Sequence, residues 1–202
     1  MISKTLEHRE LARIAGALAA HTPATVLSDA GEQPLHAAVA LVLRPDERGG
    51  LELLMIKRAN FEGDPWSGQI ALPGGRRESG DASLERTAVR ETWEETAVDI
   101  ERDGAVLGAL DEVSPRTLTV RRVIVRPYVA AVSADVAVVE SPEVAAAFWV
   151  PLAALRDVAA WITADVVAHG RSLQVPAFTH GEYIVWGLTE RILRDFLRIV
   201  RS

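Results

Sequence analysis

The amino-acid sequence predicts one mixed α/β domain over residues 1–202, with an amphipathic helix near each end. Short apolar segments typical of strands alternate along the chain with segments of helical periodicity, as in α/β proteins. The 202 residues are enough for one sizeable domain and few for two. Apolar residues make up 49% and charged residues 25% of the chain, the composition of an ordinary water-soluble globular protein.

The N-terminal third is predicted as a helix, a loop and a β-hairpin. Ile14 and Leu18 recur at helical spacing, so we expect an amphipathic helix over residues 3–20. A segment rich in Pro, Gly and Ser follows and predicts a loop. Residues 36–44 and 51–58 are predicted strands, and PDERGG between them predicts the turn of a hairpin.

The remaining elements alternate between strands and helices. The predicted order is a long loop over 59–80 with a short strand at 69–72, a helix over 82–97, strands within 105–114 and 121–132, a strand running into a short helix over 148–158, and a C-terminal helix over 184–200.

Charge and composition exclude several kinds of protein. The net charge of −6 argues against a general nucleic-acid binder, which needs a basic surface. The absence of cysteine excludes disulfides and thiolate metal sites and suits a reducing cytoplasm, where we expect the protein. No apolar run reaches the roughly 18 residues of a membrane span, and the N-terminus is charged too early for a signal peptide.

The segment RETWEET at residues 90–96 holds three closely spaced glutamates, Glu91, Glu94 and Glu95. They fall within an arc of about 100° on a helix, and none has a basic residue four positions later. Ala88 and Val98 share the arc, so we expect it to face inward or into a cleft. Buried carboxylates need a cation, and a divalent ion bound through oxygen would serve. The alternative is a solvated acidic face.

The segment LPGGRRESGD precedes this helix. Its adjacent glycines allow the backbone to approach a ligand closely, and we expect Asp81 to cap the helix N-terminus. Arg76 and Arg77 can attract anions, as can the helix N-terminus. Basic groups beside a row of carboxylates suit metal-dependent phosphoryl transfer. Trp93 lies opposite the glutamates and is expected to pack in the core.

The segment GRRESGDASLERTAVRETWEETAV, residues 75–98, resembles the Nudix hydrolase signature. The matching positions are Gly75, Arg90, Glu91, Glu94, Glu95 and Val98. Asp81 stands where the first glutamate of the signature belongs, and one extra residue separates it from Arg90. Thr92 replaces an apolar residue and Ala97 replaces the last glycine, but the metal-binding end is intact.

Within that family the chain is most similar to the coenzyme A pyrophosphatase branch, from His36 to Leu197. The similarity lies in the segment LPGG, in the extra residue between Asp81 and Arg90, and in the segments PEVAAAFWVPLAAL and VWGLTERIL. One departure concerns the segment before LPGG, where Arg58 is present but Ala59 replaces a serine of that branch. Its second arginine, expected to help bind a phosphorylated substrate, is also absent.

The resemblance implies an α/β/α sandwich with a mixed sheet, a core over about 36–158, and terminal helices at 3–20 and 184–200. It also implies a function: hydrolysis of a pyrophosphate bond in coenzyme A, an acyl-coenzyme A or another nucleotide such as NADH, ADP-ribose or a deoxynucleoside triphosphate. The expected partner is this small molecule, without nucleic acid or membrane, and a homodimer is left open. Alternatives are a Nudix-fold module that binds a nucleotide without cleaving it and a structural protein with an acidic helix.

The resemblance assigns roles to individual residues. Glu91, Glu94 and Glu95 would ligate Mg²⁺ or Mn²⁺ together with the Gly74 carbonyl, and Arg90 would orient a carboxylate of the helix. The general base would be one of these glutamates or a loop residue, Glu140 or Glu143. The candidate phosphate contacts are Arg58, Arg76 and Arg116.

Overall fold

A computed structural model of the chain describes residues 8–27, 33–62, 66–115, 122–168 and 170–201. The helices in these ranges are α1 Arg9–Ala20, α2 Leu84–Thr96, α3 Ile100–Asp103, α4 Leu152–Arg156 and α5 Gly187–Arg201, and a 3₁₀ turn spans Val158–Ala160. The strands are β1 Leu35–Pro45, β2 Leu51–Arg58, β3 Ile70–Ala71, β4 Gly74–Arg76, β5 Gly104–Ala109, β6 Val123–Val132, β7 Val144–Pro151, β8 Trp161–Ala168, β9 Arg171–His180 and β10 Tyr183–Trp186.

A seven-stranded sheet forms the centre of the fold, and it is mixed, as the family resemblance implied. Its main path runs β3-β2-β1-β6-β5, while β4 pairs with β1 and β7 pairs with β2. Strands β1 and β6 are parallel, and the other pairs are antiparallel. A separate three-stranded sheet has the order β10-β9-β8.

Alternating side chains of the central strands build a core on each face of the sheet. In β1, Leu41 and Leu43 join the larger core, which contains residues of α1 and α5. Ala40 and Val42 point to the opposite face and pack in a smaller core with Ala88 of α2 and with α3. The sheet is therefore covered on both faces, and its smaller core fixes α2 against β1.

Several predicted boundaries move in the structure. Strand β2 has its predicted limits and β1 extends the predicted strand by one residue at each end. Helix α1 begins at Arg9, and residues 3–7 of that predicted helix lie outside the described residues. The C-terminal helix begins at Gly187 instead of residue 184, because Gly187 has a left-handed φ of 70° that separates the helix from β10.

Two side-chain predictions for α2 were wrong. Ser83, not Asp81, caps the helix N-terminus, because its hydroxyl accepts a hydrogen bond from the Arg86 backbone at 3.2 Å. Trp93 is 56% exposed instead of packing in the core, since the buried arc of α2 is centred on Thr92 and Glu95. None of the helices in the described ranges is both long and apolar enough to cross a lipid bilayer.

Candidate active site

Two adjacent glycines bring β4 into direct contact with β1 and with α2. Gly74 has φ 153°, and a Cβ atom there would lie 2.3 Å from the Ala38 carbonyl oxygen. A Cβ atom on Gly75 would lie 2.4 Å from Oε1 of Glu91. A side chain at Gly75 would displace the Glu91 carboxylate, and one at Gly74 would displace the backbone of β1.

Glu95 is the most deeply buried of the three helix glutamates, with only 4% exposure. The Gly74 backbone N–H donates a hydrogen bond to its Oε2 at 2.8 Å, and Nη1 of Arg58 lies 3.9 Å from its Oε1. Burial, together with the negative charges of Glu91 and Glu143, raises the pKa of Glu95 to about 7 against the opposing effects of Gly74 and Arg58. Ionisation of Glu95 is thus unfavourable at this buried position, and a bound cation would favour it.

Glu91 and Glu94 both contact the guanidinium of Arg90. Nη1 of Arg90 lies 3.0 Å from Oε1 of Glu91 and donates a hydrogen bond to Oε2 of Glu94 at 2.8 Å. Burial raises the pKa of Glu91 although Arg90 opposes this shift. The Glu94 side chain is 47% exposed, so it can change its position at lower cost than Glu95. The structure places Glu91 and Glu95 beside Gly74 and Gly75 of β4 and Glu94 at the rim.

Arg90 is held from its other side by the buried carboxylate of Asp81. Nε and Nη2 of Arg90 donate to Oδ1 and Oδ2 of Asp81 at 3.0 Å each, in a bidentate pair. The Glu78 backbone and the Thr87 hydroxyl also donate to Oδ2, each at 2.9 Å. The Arg90 hydrogen bonds hold the pKa of Asp81 well below its usual range. Asp81 thus fixes the guanidinium that contacts two of the three glutamates.

The loop before β7 is attached to the end of α2. The backbone N–H of Ser141 donates to the Glu95 carbonyl at 3.1 Å, and that of Val139 donates to the Thr96 carbonyl at 2.9 Å. The Glu140 carboxylate accepts a hydrogen bond from the Ala147 backbone at 2.8 Å. The charge of Glu143, in contrast, raises the pKa of both Glu91 and Glu95. Of these two loop acids, Glu143 is the one whose charge affects the pKa of both helix glutamates.

The predicted phosphate contacts lie in different places. Arg58 ends β2 beside Glu95. Arg76 ends β4 with an exposed side chain, and its carbonyl accepts a hydrogen bond from Arg90 at 3.1 Å. Arg116 lies outside the described residues. Sequence reasoning missed Thr87 and Glu78 as supports of Asp81, since only the folded loop brings them together.

The donor set suits a divalent oxygen-loving cation such as Mg²⁺ or Mn²⁺. Two carboxylates, Glu91 and Glu95, have raised pKa values, and the Gly75 position provides the space that the Glu91 carboxylate needs. Among the described residues, no group of three or more His, Asp or Glu side chains is already arranged around a common point. A site using all three glutamates therefore requires their side chains to move closer together.

Comparisons with known proteins agree with the fold and the signature. The model of the NUDIX domain family matches residues 34–169. The chain is 35% identical over 162 residues to an uncharacterized Nudix hydrolase NudL of Enterobacter sp. (strain 638), covering 79% of each protein. It is 31% identical over 167 residues to the uncharacterized NudL of Shigella flexneri serotype 5b (strain 8401), covering 81% of this chain and 83% of that protein.

A solved structure supports the same fold. The crystal structure of a MutT/nudix family protein from Enterococcus faecalis superposes with a TM-score of 0.58 at 20% sequence identity. The match covers 99% of this chain and 74% of that protein. At this identity the match bears on the fold alone.

Proposed function

The chain belongs to the Nudix family, and we propose that this Nudix hydrolase cleaves the pyrophosphate bond of coenzyme A or an acyl-coenzyme A. The products would be a phosphopantetheine derivative and adenosine 3′,5′-bisphosphate. The observation that carries the hydrolytic assignment is the buried Glu95 carboxylate, hydrogen-bonded at 2.8 Å to the Gly74 backbone and close to further negative charge. The curated relatives are themselves uncharacterized, so the substrate rests on this chain's own sequence features.

A divalent cation, Mg²⁺ or Mn²⁺, held by Glu91, Glu94, Glu95 and the Gly74 carbonyl would supply positive charge for the pyrophosphate oxygens and acidify water. Arg90 orients the glutamates, because Asp81 fixes the plane of its guanidinium. We assign Glu143 to accept the proton of the attacking water. The carboxylate of Glu140, the other loop candidate, already accepts a hydrogen bond from the Ala147 backbone. The carboxylate of Glu95 accepts one from the Gly74 backbone.

Arg58 is the proposed first contact for the substrate phosphates, since it ends β2 at the same edge of the site as Glu95. Arg76, exposed at the end of β4, is the second, and Arg116 keeps its predicted role. A role as a binding module alone is disfavoured, because such a module has no need of three metal-binding glutamates. A reducing cytoplasm is the proposed compartment, supported by the lack of cysteine.

The test is a substrate panel incubated with Mg²⁺ and, separately, with Mn²⁺, with the products identified by mass spectrometry. The panel contains coenzyme A, acetyl-coenzyme A, NADH, ADP-ribose, a diadenosine polyphosphate and deoxynucleoside triphosphates. We expect the highest kcat/KM for coenzyme A or its acyl form. Faster cleavage of another member would reassign the substrate, and cleavage of none would overturn the hydrolytic proposal.

A further inference from the structure

One end of the β8-β9-β10 sheet packs one of its faces against the body of the protein. On this face Phe178 of β9 and Val185 of β10 belong to the larger core and are 0% and 1% exposed. Trp161 of β8 packs against Phe178 on the same side, with ring centroids 5.2 Å apart. The β8-β9-β10 sheet is thus attached to the body of the protein at this end, whereas Thr163, Asp165 and Val167, on the same face of β8, are exposed.

The opposite face of this sheet carries apolar side chains from all three strands. Cross-strand pairs place Ile162 opposite Ala177 and Val166 opposite Leu173, and Ala164 pairs with Val175 between them. Because side chains alternate along a strand, these residues share the face that points away from Phe178. Ile184 of β10 lies on the same face, where it pairs with Thr179. We call this surface, defined by Ile162, Val166, Leu173, Val175 and Ile184, the apolar arm face.

Three of the five residues of the apolar arm face are exposed in the single chain, and Val166 and Val175 are half-buried. Ile162 is 42% exposed, Leu173 is 43% exposed and Ile184 is 41% exposed. None of its five members belongs to either hydrophobic core of the described residues. Strand β8 is also an edge of its sheet, pairing only with β9 among the described strands. Contiguous apolar surface beside an open strand edge is typical of protein–protein contact sites.

Charged residues near the two ends of β9 indicate what covers the apolar arm face. Arg171 is the first residue of β9, and the alternation of side chains along the strand places it on the apolar arm face. Glu182 lies in the turn that follows the other end of the strand. Both residues are exposed. The five residues between them on this face carry no charge. We propose that the face is covered by the same face of a second copy, with the two β9 strands antiparallel.

This arrangement is a two-fold, isologous contact in which each surface faces itself. In the antiparallel orientation Arg171 of each copy lies beside Glu182 of the other, so opposite charges meet at both ends. A parallel orientation would place like charges together. The uncharged centre lets two chains of net charge −6 approach without repulsion where they touch. The proposal does not depend on the hydrolytic function.

The first experiment is sedimentation equilibrium of the full chain between about 1 and about 100 μM, concentrations that bracket micromolar dissociation constants. We expect a dimer whose dissociation constant rises at least tenfold in Leu173→Glu. The matched control is Val167→Glu, which adds the same charge to a 78% exposed residue on the opposite face of β8. Far-ultraviolet circular dichroism checks that both variants fold. A wild-type monomer throughout, or equal effects of the two variants, would overturn the proposal.

The second experiment tests the orientation by charge reversal. Arg171→Glu and Glu182→Arg should each weaken the dimer, because each places like charges together at both ends. The double variant should recover the wild-type dissociation constant to within about threefold, since the opposite charges are then exchanged. Because both residues are exposed, neither change disturbs a core. Additive weakening in the double variant would contradict the antiparallel contact.

Discussion

Arg90 and Asp81 form a bidentate ion pair, with two N···O distances of 3.0 Å, directly behind the glutamates of α2. The same guanidinium contacts Glu91 and Glu94 through Nη1. Arg90 thus connects the loop that follows β4 with the acidic face of the helix. Asp81 is one residue farther from Arg90 along the chain than the acidic residue of the family signature, and it still reaches Arg90 through this ion pair.

Asp81→Asn should lower the free energy of unfolding by about 2 kcal/mol at neutral pH, the scale of a lost charged hydrogen bond. Folding lowers the pKa of Asp81. Its stabilisation is therefore complete above the unfolded pKa near 4 and is lost as the pH falls below that value. Urea unfolding of the variant and the wild type from pH 3 to pH 7 measures the difference. A difference that grows toward low pH would contradict this role.

Gly75→Ala and Gly74→Ala form a matched pair with opposite expected outcomes. The added methyl at Gly75 meets the movable end of Glu91, so kcat should fall roughly 10- to 100-fold with little change in melting temperature. The methyl at Gly74 meets the Ala38 carbonyl and requires a strained φ, so the melting temperature should fall by several degrees. Calorimetry and steady-state kinetics separate the two. Loss of stability in Gly75→Ala without loss of rate would refute the assignment.

Glu143→Gln and Glu140→Gln test the choice of general base. We expect Glu143→Gln to lower kcat roughly 100- to 1,000-fold with KM nearly unchanged, because an amide cannot accept the water proton. Glu140→Gln should retain most of the rate, since its amide oxygen can still accept the Ala147 hydrogen bond. Equal losses in both variants would return the proton-accepting role to the helix glutamates.

Millimolar Mg²⁺ or Mn²⁺ should raise the melting temperature of the wild type. At a concentration of 100 Kd the linkage amounts to about 2.7 kcal/mol, roughly 5–10 °C for a chain of this size. Glu91→Gln should reduce this shift, while Glu47→Gln, in the exposed β1–β2 turn, should leave it unchanged. Differential scanning fluorimetry gives the result. An identical curve with and without metal would contradict the metal site.

Much of the fold could be predicted from the sequence because its signals are local. Continuous apolar segments located β1 and β2, and helical periodicity located α2 and the terminal helices. The β8–β9 hairpin was missed although its strands alternate around Gly170, since polar residues such as Asp165 and Gln174 interrupt the apolar character of each strand. Residues 183–186 have the same apolar character as the helix that follows, so only the left-handed Gly187 separates them.

The site was less predictable because its contacts join distant segments. The spacing of Glu91, Glu94 and Glu95 does not show that Arg90 holds Glu94 while the Gly74 backbone holds Glu95. By sequence, Glu140 and Glu143 are equally good candidates for the general base. In the folded loop, Glu140 accepts a hydrogen bond from Ala147, whereas the charge of Glu143 affects the pKa of Glu95. Asp81 resembled a helix cap because aspartate suits that position, but the stronger charged contact with Arg90 is formed instead.

Glu95→Gln tests the central claim most directly, with kcat measured at saturating Mg²⁺ beside the thermal stability without metal. The amide keeps the shape of the side chain and can still accept the Gly74 hydrogen bond, but it removes a buried charge. We predict a kcat at least 100-fold below that of the wild type. The metal-free melting temperature should be equal or higher, because the repulsion from Glu91 and Glu143 is gone. A variant that turns over at nearly the wild-type rate would contradict the account.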